Sequence, residues 1–404
     1  MASAYIYMQL PESDEVVTLG RLDINRGIGA FVYSPTYVNQ RGWVPDPIRY
    51  PLRGEFHEGI TTNSGIPGFI RDAAPDGWGQ RVLAKAAGSD LDAIGYLMKS
   101  TNHDRTGNLM VGTTKTPPRG VGQAGMANIT SLEDFIAFAD NIQSQFPRQI
   151  DVVARQALRQ RSSLGGARPK CTLRRGEQLI LAKPRDRHDD FDVPAMEYAC
   201  MSFAQVKGLN VAKVELHRGS KNVLLVDRFD RIAQDGRFRR IPMLSALTLL
   251  DSDWQAPERN RWRYAAVADE MRRRQVPLSD LHELYKRMCF NALVGNDDDH
   301  PKNHAIIWQG NAWRLSPMYD VVPTLDGESP ASLSMEVGSS GRRVTRENML
   351  SHAKHFDLSI EQAESVLDEV AGWEAELITH YQQHLAGDEL MLASQAIGAF
   401  RLRE

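Results

Sequence analysis

The sequence predicts an α+β chain of two or three compact units, strand-rich in its first part and almost wholly helical in its last. Three observations predict it. Alternating apolar stretches with Gly, Asn or Asp at the turns recur at Tyr5–Leu10, Val16–Leu22 and Ala30–Val38, and again in hairpins near 171–182 and 214–226. Beyond residue 244 the apolar spacing changes to three and four. Leu281, Leu284, Tyr285, Met288, Cys289, Ala292 and Leu293 fall on one face of a 3.6-residue period. The length of 404 residues also exceeds what one hydrophobic core organises.

Residues 1–125 read as a small α/β domain. After its three strands comes a connection punctuated by Pro45, Pro47 and Pro51, then a helical stretch with Phe69, Ile70, Ala73 and Ala74. Pro75-Asp76-Gly77-Trp78-Gly79 reads either as a binding turn or as a helix–helix joint with Trp78 in the core, and the joint is favoured. A helix with Val82 and Leu83 follows it. Thr106–Thr114 is a further strand, and Pro117–Gly125 is a linker.

Residues 126–240 form a second, strand-rich unit. Thr130 and Glu133 make a capping-box pattern that opens a helix to about Gln145, and another helix is expected over Ile150–Gln160. The loop Arg161–Lys170 holds Gly165, Gly166 and Ala167, whose backbone N–H groups can approach a phosphate, with Arg168 and Lys170 adding charge. It does not meet the Walker A pattern, and a plain flexible loop is the competing reading. The hairpin Cys171–Leu173 and Gln178–Ala182 then ends at Lys183, where a protein kinase places the cation that grips phosphates. Over Val193–Lys207 a helix carries Met196, Ala199, Cys200 and Phe203 on one face. Its Glu197 either pairs with Lys183 or stands as an exposed helix acid. The hairpin Val214–His217 and Val223–Val226 leads into Asp227-Arg228-Phe229-Asp230-Arg231, the crossing into the helical part.

Residues 241–404 form that helical part, with helices at Leu244–Leu250, Tyr264–Arg274, Arg346–His355, Ile360–His384 and Glu389–Phe400, and an unassigned connector over Ser332–Thr345. The helix that begins at Leu281 stops at Gly295. It is followed by Asn296-Asp297-Asp298-Asp299-His300-Pro301-Lys302-Asn303-His304, then a hairpin (Ala305–Trp308, Trp313–Leu315), then Met318-Tyr319-Asp320. So much charge in nine residues asks for a cation or a phosphate. Asp298 precedes Asn303 by five residues, the Asp-to-Asn spacing of the protein-kinase catalytic loop, and Asp320 stands where a second metal-holding acid is wanted. A calcium loop would need a glycine and a late Glu that are absent. A zinc site would need a Cys, or a Glu between the two histidines on a helix.

A net charge of −3 supplies no global basic field, so nucleic-acid binding would need a local patch. Arg237–Arg240 and Arg272–Arg274 are the candidates, and both read better as solvated faces. The three cysteines, Cys171, Cys200 and Cys289, are far apart and odd in number, which suits buried thiols in a reducing cytoplasm. Neither a signal peptide nor an apolar run of membrane-spanning length is apparent, so a soluble protein is expected.

Taken together, these segments resemble the HipA family, the serine/threonine-kinase toxins of bacterial type II toxin–antitoxin systems, over almost the whole chain. Leu19-Gly20-Arg21-Leu22 and Asp72–Gly79 are similar to the family's N-terminal domain, and Ser162–Lys170 to its S-x-x-G-A-x-x-K loop. Val226–Arg231 is similar to its V-E-R-F-D-R hinge, with Asp for Glu. Gly295–Asn303 is similar to its D-x-H-x-K-N catalytic loop, and Pro317–Asp320 to its P-x-Y-D metal motif. The resemblance implies a protein-kinase-like two-lobed fold, strand-rich over 126–240 and all-helical over 241–404, preceded by the α/β domain. It implies ATP and Mg2+ as cofactors, Asp298 as catalytic base, and Asn303 and Asp320 as metal ligands. Nucleotide binding would fall to Gly165, Gly166, Ala167, Arg168, Lys170, Lys183, Asp227, Phe229, His300 and Lys302. Ser163, with Ser162 beside it, falls on the family's autophosphorylated serine. A protein substrate, in some members an aminoacyl-tRNA synthetase, and a helix-turn-helix antitoxin are the implied partners, with DNA reached only through the antitoxin. A small-molecule kinase and a catalytically silent antitoxin-binding co-repressor are the competing readings. The presence of Lys183, Asp298, Asn303 and Asp320 argues against the silent one.

Overall fold

The computed structural model describes residues 2–122, 127–144, 166, 168–255, 259–324 and 326–404. Its contacts divide into two compact units. The first takes Met1–Arg187, Asp227–Leu244 and Asp253–Gln255, and the second His188–Val226, Ser245–Ser252 and Ala256–Glu404. Most strands lie in the first and most helices in the second.

The first unit opens with a five-stranded antiparallel sheet in the order His57–Ile60, Ile28–Tyr33, Val16–Asn25, Ala2–Gln9, Leu109–Gly112. Phe31 is the centre of an aromatic cluster, edge-on to Tyr33 at 4.9 Å and to Phe69 at 5.5 Å between ring centroids. The third strand ends at Tyr33 rather than Val38. Pro35 lacks an N–H for the ladder, and its fixed φ suits the first turn of the helix Pro35–Gln40, which buries Tyr37. The fifth strand is likewise shorter than the predicted Thr106–Thr114.

Further along, Ala127–Asn128 runs parallel to Cys171–Arg175, which turns at Gly176 into the antiparallel Gln178–Pro184. The helix Leu132–Ser144 is capped differently from the expected Thr130–Glu133 box. Asn128 accepts the Thr130 N–H, and a 3-10 turn over Ile129–Ser131 leads into the helix. The predicted helix Ile150–Gln160 lies outside the described residues. A tight hairpin, Arg231–Gln234 and Arg237–Arg240, turns at Asp235 and Gly236. Both are at positive φ (49° and 74°), the backbone twist that matches two paired strands.

The second unit is organised around the helix Leu278–Val294, whose predicted apolar face is buried from Leu281 to Leu293. Gly295 ends it at φ 71°, a left-handed cap where an added Cβ would run into the Ala396 carbonyl. The other helices are shorter than the periodicity suggested. Ile360–His384 divides at Gly372 and Trp373 into Ile360–Ala371 and Glu374–His384, the first opened by a capping box of Ser359 and Gln362. The stretch 389–400 becomes Gly387–Gln395 and Ala399–Arg403, because Gly398 leaves the helix to donate its N–H to Leu293 O at 2.8 Å. Leu244–Leu250 opens as the extended Met243–Ser245. Ser245 then caps the short helix Ala246–Leu249 through the Thr248 N–H. Arg346–His355 becomes the helix Arg346–Leu350 and a 3-10 turn over Ala353–Phe356.

Each basic stretch is solvated in part: Arg237, Arg272 and Arg273 are exposed as expected, whereas Arg240 and Arg274 are buried. Arg272, Arg273 and Arg274 pair with Asp269 and Glu270 on their own helix. Cys171, Cys200 and Cys289 are buried, and among the described residues none is in a disulfide. Among the described residues no helix is long and apolar enough to cross a membrane.

Candidate active site

The polar residues of the helix Leu278–Val294 hold the segments that follow it. Asp280, Arg287 and Asn291, spaced by seven and four, share one stripe. Asp280 accepts two bonds from Arg314 at 2.8 Å and the Leu315 N–H at 2.8 Å, which fixes the end of the hairpin Ala305–Gln309 and Ala312–Leu315. Burial alone would raise its carboxyl; those donors overcome it and hold the group below its ordinary value. Arg287, 1% exposed, donates to Ser316 O at 2.8 Å, Asn210 O at 2.9 Å and the Glu283 carboxylate at 3.1 Å. Asn210 O also accepts the Met318 N–H, so one guanidinium ties the helix to the segment leading to Asp320 and to the loop residue that this segment pairs with. Asn291 accepts from Asn296 through its side chain at 3.1 Å and through its backbone at 2.9 Å.

The three consecutive acids of the loop divide by environment. Asp299 is buried, accepts the Tyr264 hydroxyl, and lies 2.9 Å from His304 Nε2. The His304 carbonyl takes the Ala246 N–H at 2.8 Å, so this pair is structural. Asp298, one residue earlier, is exposed. Asp297 is half-buried. Burial pushes its carboxyl above the ordinary range, and Asp326 and Asp298 push it further.

Asn303 is buried, and its amide reaches the Asp298 carbonyl at 3.4 Å and the Asp320 carbonyl at 3.5 Å. Tyr319 donates its hydroxyl to Lys302 O at 2.8 Å. Asp320 sits at φ 63°, a left-handed conformation that short polar side chains tolerate and that is concentrated at functional sites. Asp298, Asn303 and Asp320 therefore belong to one cluster, with His300 and Lys302 half-exposed in the same loop.

Among the described residues no group of three or more His, Cys, Asp or Glu could hold a metal ion unaided. The donor chemistry nevertheless fits Mg2+, which takes oxygen ligands, keeps several waters, and is completed by substrate phosphates. The mutual repulsion at Asp297 is what a divalent cation would relieve.

The remaining predicted nucleotide-binding residues belong to the first unit. Gly166 is at φ 90°, with the Lys170 ammonium where a Cβ would be. Its N–H is donated to the Asp76 carboxylate and its carbonyl accepts the Trp78 N–H at 2.7 Å. Arg168 is exposed and Lys170 buried. Ser162, Ser163, Gly165 and Ala167 fall outside the described residues. Lys183 is half-buried near the end of its strand, Asp227 is 3.5 Å from Gln178 Nε2, and Phe229 is half-buried. Glu197, in the second unit, is 4% exposed, which removes the exposed-acid reading of that residue. Trp78 is buried, as the joint reading of its turn expects.

Sequence reasoning missed a buried ionic network in the first unit. Arg228 pairs with Asp104 at 2.6 Å and with Asp230 at 2.8 Å, and Arg231 pairs with Asp230 at 2.7 Å. Asp230 also accepts the Gly107 N–H, while Arg105 caps the carbonyls of Ala73, Leu97 and Ser100. Burial would raise Asp230, but Arg228 and Arg231 hold it well below the carboxylate range. Burial lowers Arg231 to about 10, against the pull of Asp230. The alternating charge of Asp227–Arg231 directly after an apolar strand was the available signal.

Residues 162–377, more than half of the chain, match the HipA-like C-terminal domain. The chain is 24% identical over 226 residues to Y4dM of Sinorhizobium fredii, which carries a kinase name, covering 50% of this chain and 53% of that protein. It is 30% identical over 142 residues to the serine/threonine-protein kinase toxin HipA of Shewanella oneidensis, covering 31% and 33%. The chain thus spans about half or less of the length of these curated relatives. Its fold is similar to that of HipA in the Shewanella oneidensis MR-1 complex of HipA, HipB and operator DNA. The TM-score is 0.71 at 19% identity, over 99% of this chain and 95% of that one. That likeness gives the α+β, kinase-like fold the sequence predicts. The domain match contains Lys183, the Asp298 loop and the Tyr319-Asp320 segment, and the chain belongs to the HipA family.

Proposed function

We propose that the chain is an ATP- and Mg2+-dependent serine/threonine-protein kinase of a bacterial cytoplasm, the toxin of a toxin–antitoxin pair. The observation that carries this reading is the Asn303 amide between the carbonyls of Asp298 and Asp320, with the Asp298 carboxylate exposed to an incoming hydroxyl. In this reading Asp298 orients the attacking hydroxyl and accepts its proton. Asn303 and Asp320 hold Mg2+, which would neutralise charge on the phosphoryl group in transfer. Lys183 grips phosphates, helped by Lys170 and Arg168 and by the backbone of Gly165, Gly166 and Ala167. His300 and Lys302 add to nucleotide binding from the catalytic loop, and Asp227 and Phe229 face adenine. Residues 126–240 and 241–404 serve as the two lobes, and 1–125 as the accessory domain.

Autophosphorylation at Ser163 would switch the enzyme off. About two negative charges in a pocket made for ATP phosphates repel the nucleotide. The presence of HipB and operator DNA with the Shewanella HipA supports a helix-turn-helix antitoxin as partner here, with DNA reached through it.

The test is γ-labelled ATP with Mg2+, offered with a protein lysate and separately with a panel of small hydroxyl compounds. Label should enter protein, including the chain itself at Ser163, and Asp298→Gln should abolish it without changing the melting temperature. Label confined to the small molecules would identify a small-molecule kinase. Label in neither arm would leave a silent binding module.

A further inference from the structure

Asp76 stands at the N-cap of the helix Gly77–Ala87, a position where an Asp side chain ordinarily accepts a backbone N–H from the helix's own first turn. It makes no such bond. Its carboxylate instead accepts the N–H of Gly166, and the N–H of Trp78, which its own helix leaves unpaired, is donated to Gly166 O at 2.7 Å. One turn therefore holds both backbone polar groups of a single glycine ninety positions along the chain. Both partners lie in the first unit.

The holder is itself anchored. Trp78 is 1% exposed, and Gln80 Nε2 closes the turn by donating to Pro75 O at 3.0 Å. Gly166 is exposed and at φ 90°, a conformation that glycine does not favour over its alternatives, so its contacts must select it.

We propose that Asp76 is a positioning residue for the glycine loop. With the Trp78 N–H it fixes both peptide groups of Gly166, a residue that the kinase reading assigns to the phosphates of ATP. This rests on the kinase reading above and assigns the Pro75–Gly79 turn to the same reaction. A glycine fixed before nucleotide arrives spares binding the cost of fixing it, so the turn acts on ATP affinity more than on turnover. The sequence expectation for this turn was a packed joint. Trp78 fulfils that role, and Asp76 adds the second one.

Two variants of the full chain test it. Asp76→Ser keeps a good helix cap but is one heavy atom shorter, and Asp76→Asn keeps an acceptor at the same reach. Amide hydrogen exchange is followed over a peptide covering Gly166 without nucleotide, and the KM for ATP and kcat of labelling are measured separately. In Asp76→Ser we expect exchange at least tenfold faster and a KM about tenfold higher, with kcat within about twofold. Asp76→Asn should recover most of both.

Unchanged exchange in Asp76→Ser would overturn the clamp. Faster exchange with an unaltered KM would overturn the positioning role, and a lowered KM would mean that the carboxylate obstructs the phosphates instead. A fall in kcat without a rise in KM would reduce Asp76 to a structural residue. Wild-type protein that labels nothing while Asp76→Ser exchanges faster would locate the failure in the kinase reading, and the proposal would fall with it.

Discussion

Replacing Arg287 by Met tests how the catalytic segments are held. Met fills much of the arginine stem's apolar volume but removes every donor. The guanidinium is buried and makes three bonds, to Ser316 O, Asn210 O and Glu283. Burial lowers its pKa and Glu283 opposes the fall, which is the signature of a buried cation kept charged by its partner. Charged hydrogen bonds contribute about 1.5–3 kcal/mol each. Breaking a buried pair by removing one member costs about 3–5 kcal/mol once the surroundings relax. For a unit of roughly 200 residues, 1 kcal/mol moves the melting temperature by about 2–4 °C, so the expected fall is about 6–20 °C. Calorimetry of the purified chain reads it. Phosphate transfer should fall as well, because Ser316 and Met318 lose their tie to the helix ahead of Asp320. Arg287→Lys should recover less than half of the loss, since an ammonium cannot span the carbonyls of Ser316 and Asn210 on two separate segments as the fork does. A shift under about 2 °C in Arg287→Met with labelling intact would refute the idea that this residue aligns the site.

Three further outcomes are expected. Asp230→Asn removes the carboxylate shared by Arg228 and Arg231 and should cost about 3–5 kcal/mol, read as a lower urea midpoint for the first unit. Since the folded state holds Asp230 below its ordinary pKa, that stability is present above about pH 4 and is lost only as pH falls further. His57, His352, His380 and His384 all have pKa values lowered by burial, so the unfolded chain binds more protons. Their contribution is full above about pH 6.5 and declines on acidification through the folded values, so the urea midpoint should drop between pH 7.5 and 5.5. His380→Gln should reduce that drop, and equal midpoints in the wild type would contradict it. Gly295→Ala meets both a left-handed backbone and the Ala396 carbonyl, so a melting curve matching the wild type would show that the helix end can shift.

The fold was legible where one period dominates. The helix Leu278–Val294 follows from its apolar spacing, and the sheet strands follow from alternation. Element ends were less legible, because they depend on partners far away in sequence. Gly398 breaks a helix on account of Leu293, and Gly372 divides another that reads as continuous. In the acidic loop, Asp298-x-x-x-x-Asn303 carried its own spacing. Nothing local distinguished Asp299 from its neighbours, since its burial is set by Tyr264 and His304. Arg240 departs from the solvated reading of its stretch for the same reason: it meets backbone carbonyls of residues more than a hundred positions earlier.

A charged residue in a short motif has two ways to be required, and burial with its partners separates them. Asp299, Asp230 and Arg228 are enclosed and engaged by neighbours: replacing Asp230 or Arg228 leaves a stranded opposite charge, replacing Asp299 takes away the partner shared by Tyr264 and His304, and the fold itself bears the loss. Asp298 is exposed, so its charge costs the folded chain little and remains available to a substrate. Asp76 lies between these cases. Its carboxylate is committed, but to a glycine of the phosphate loop rather than to the core, and a change there should be read in nucleotide affinity before it is read in stability. The ratio of those two effects, measured for Asp76, Asp230 and Asp298 side by side, should rank the three in the order Asp298, Asp76, Asp230. Any other order would mean that enclosure by protein does not decide which acids of this chain do chemistry and which hold it together.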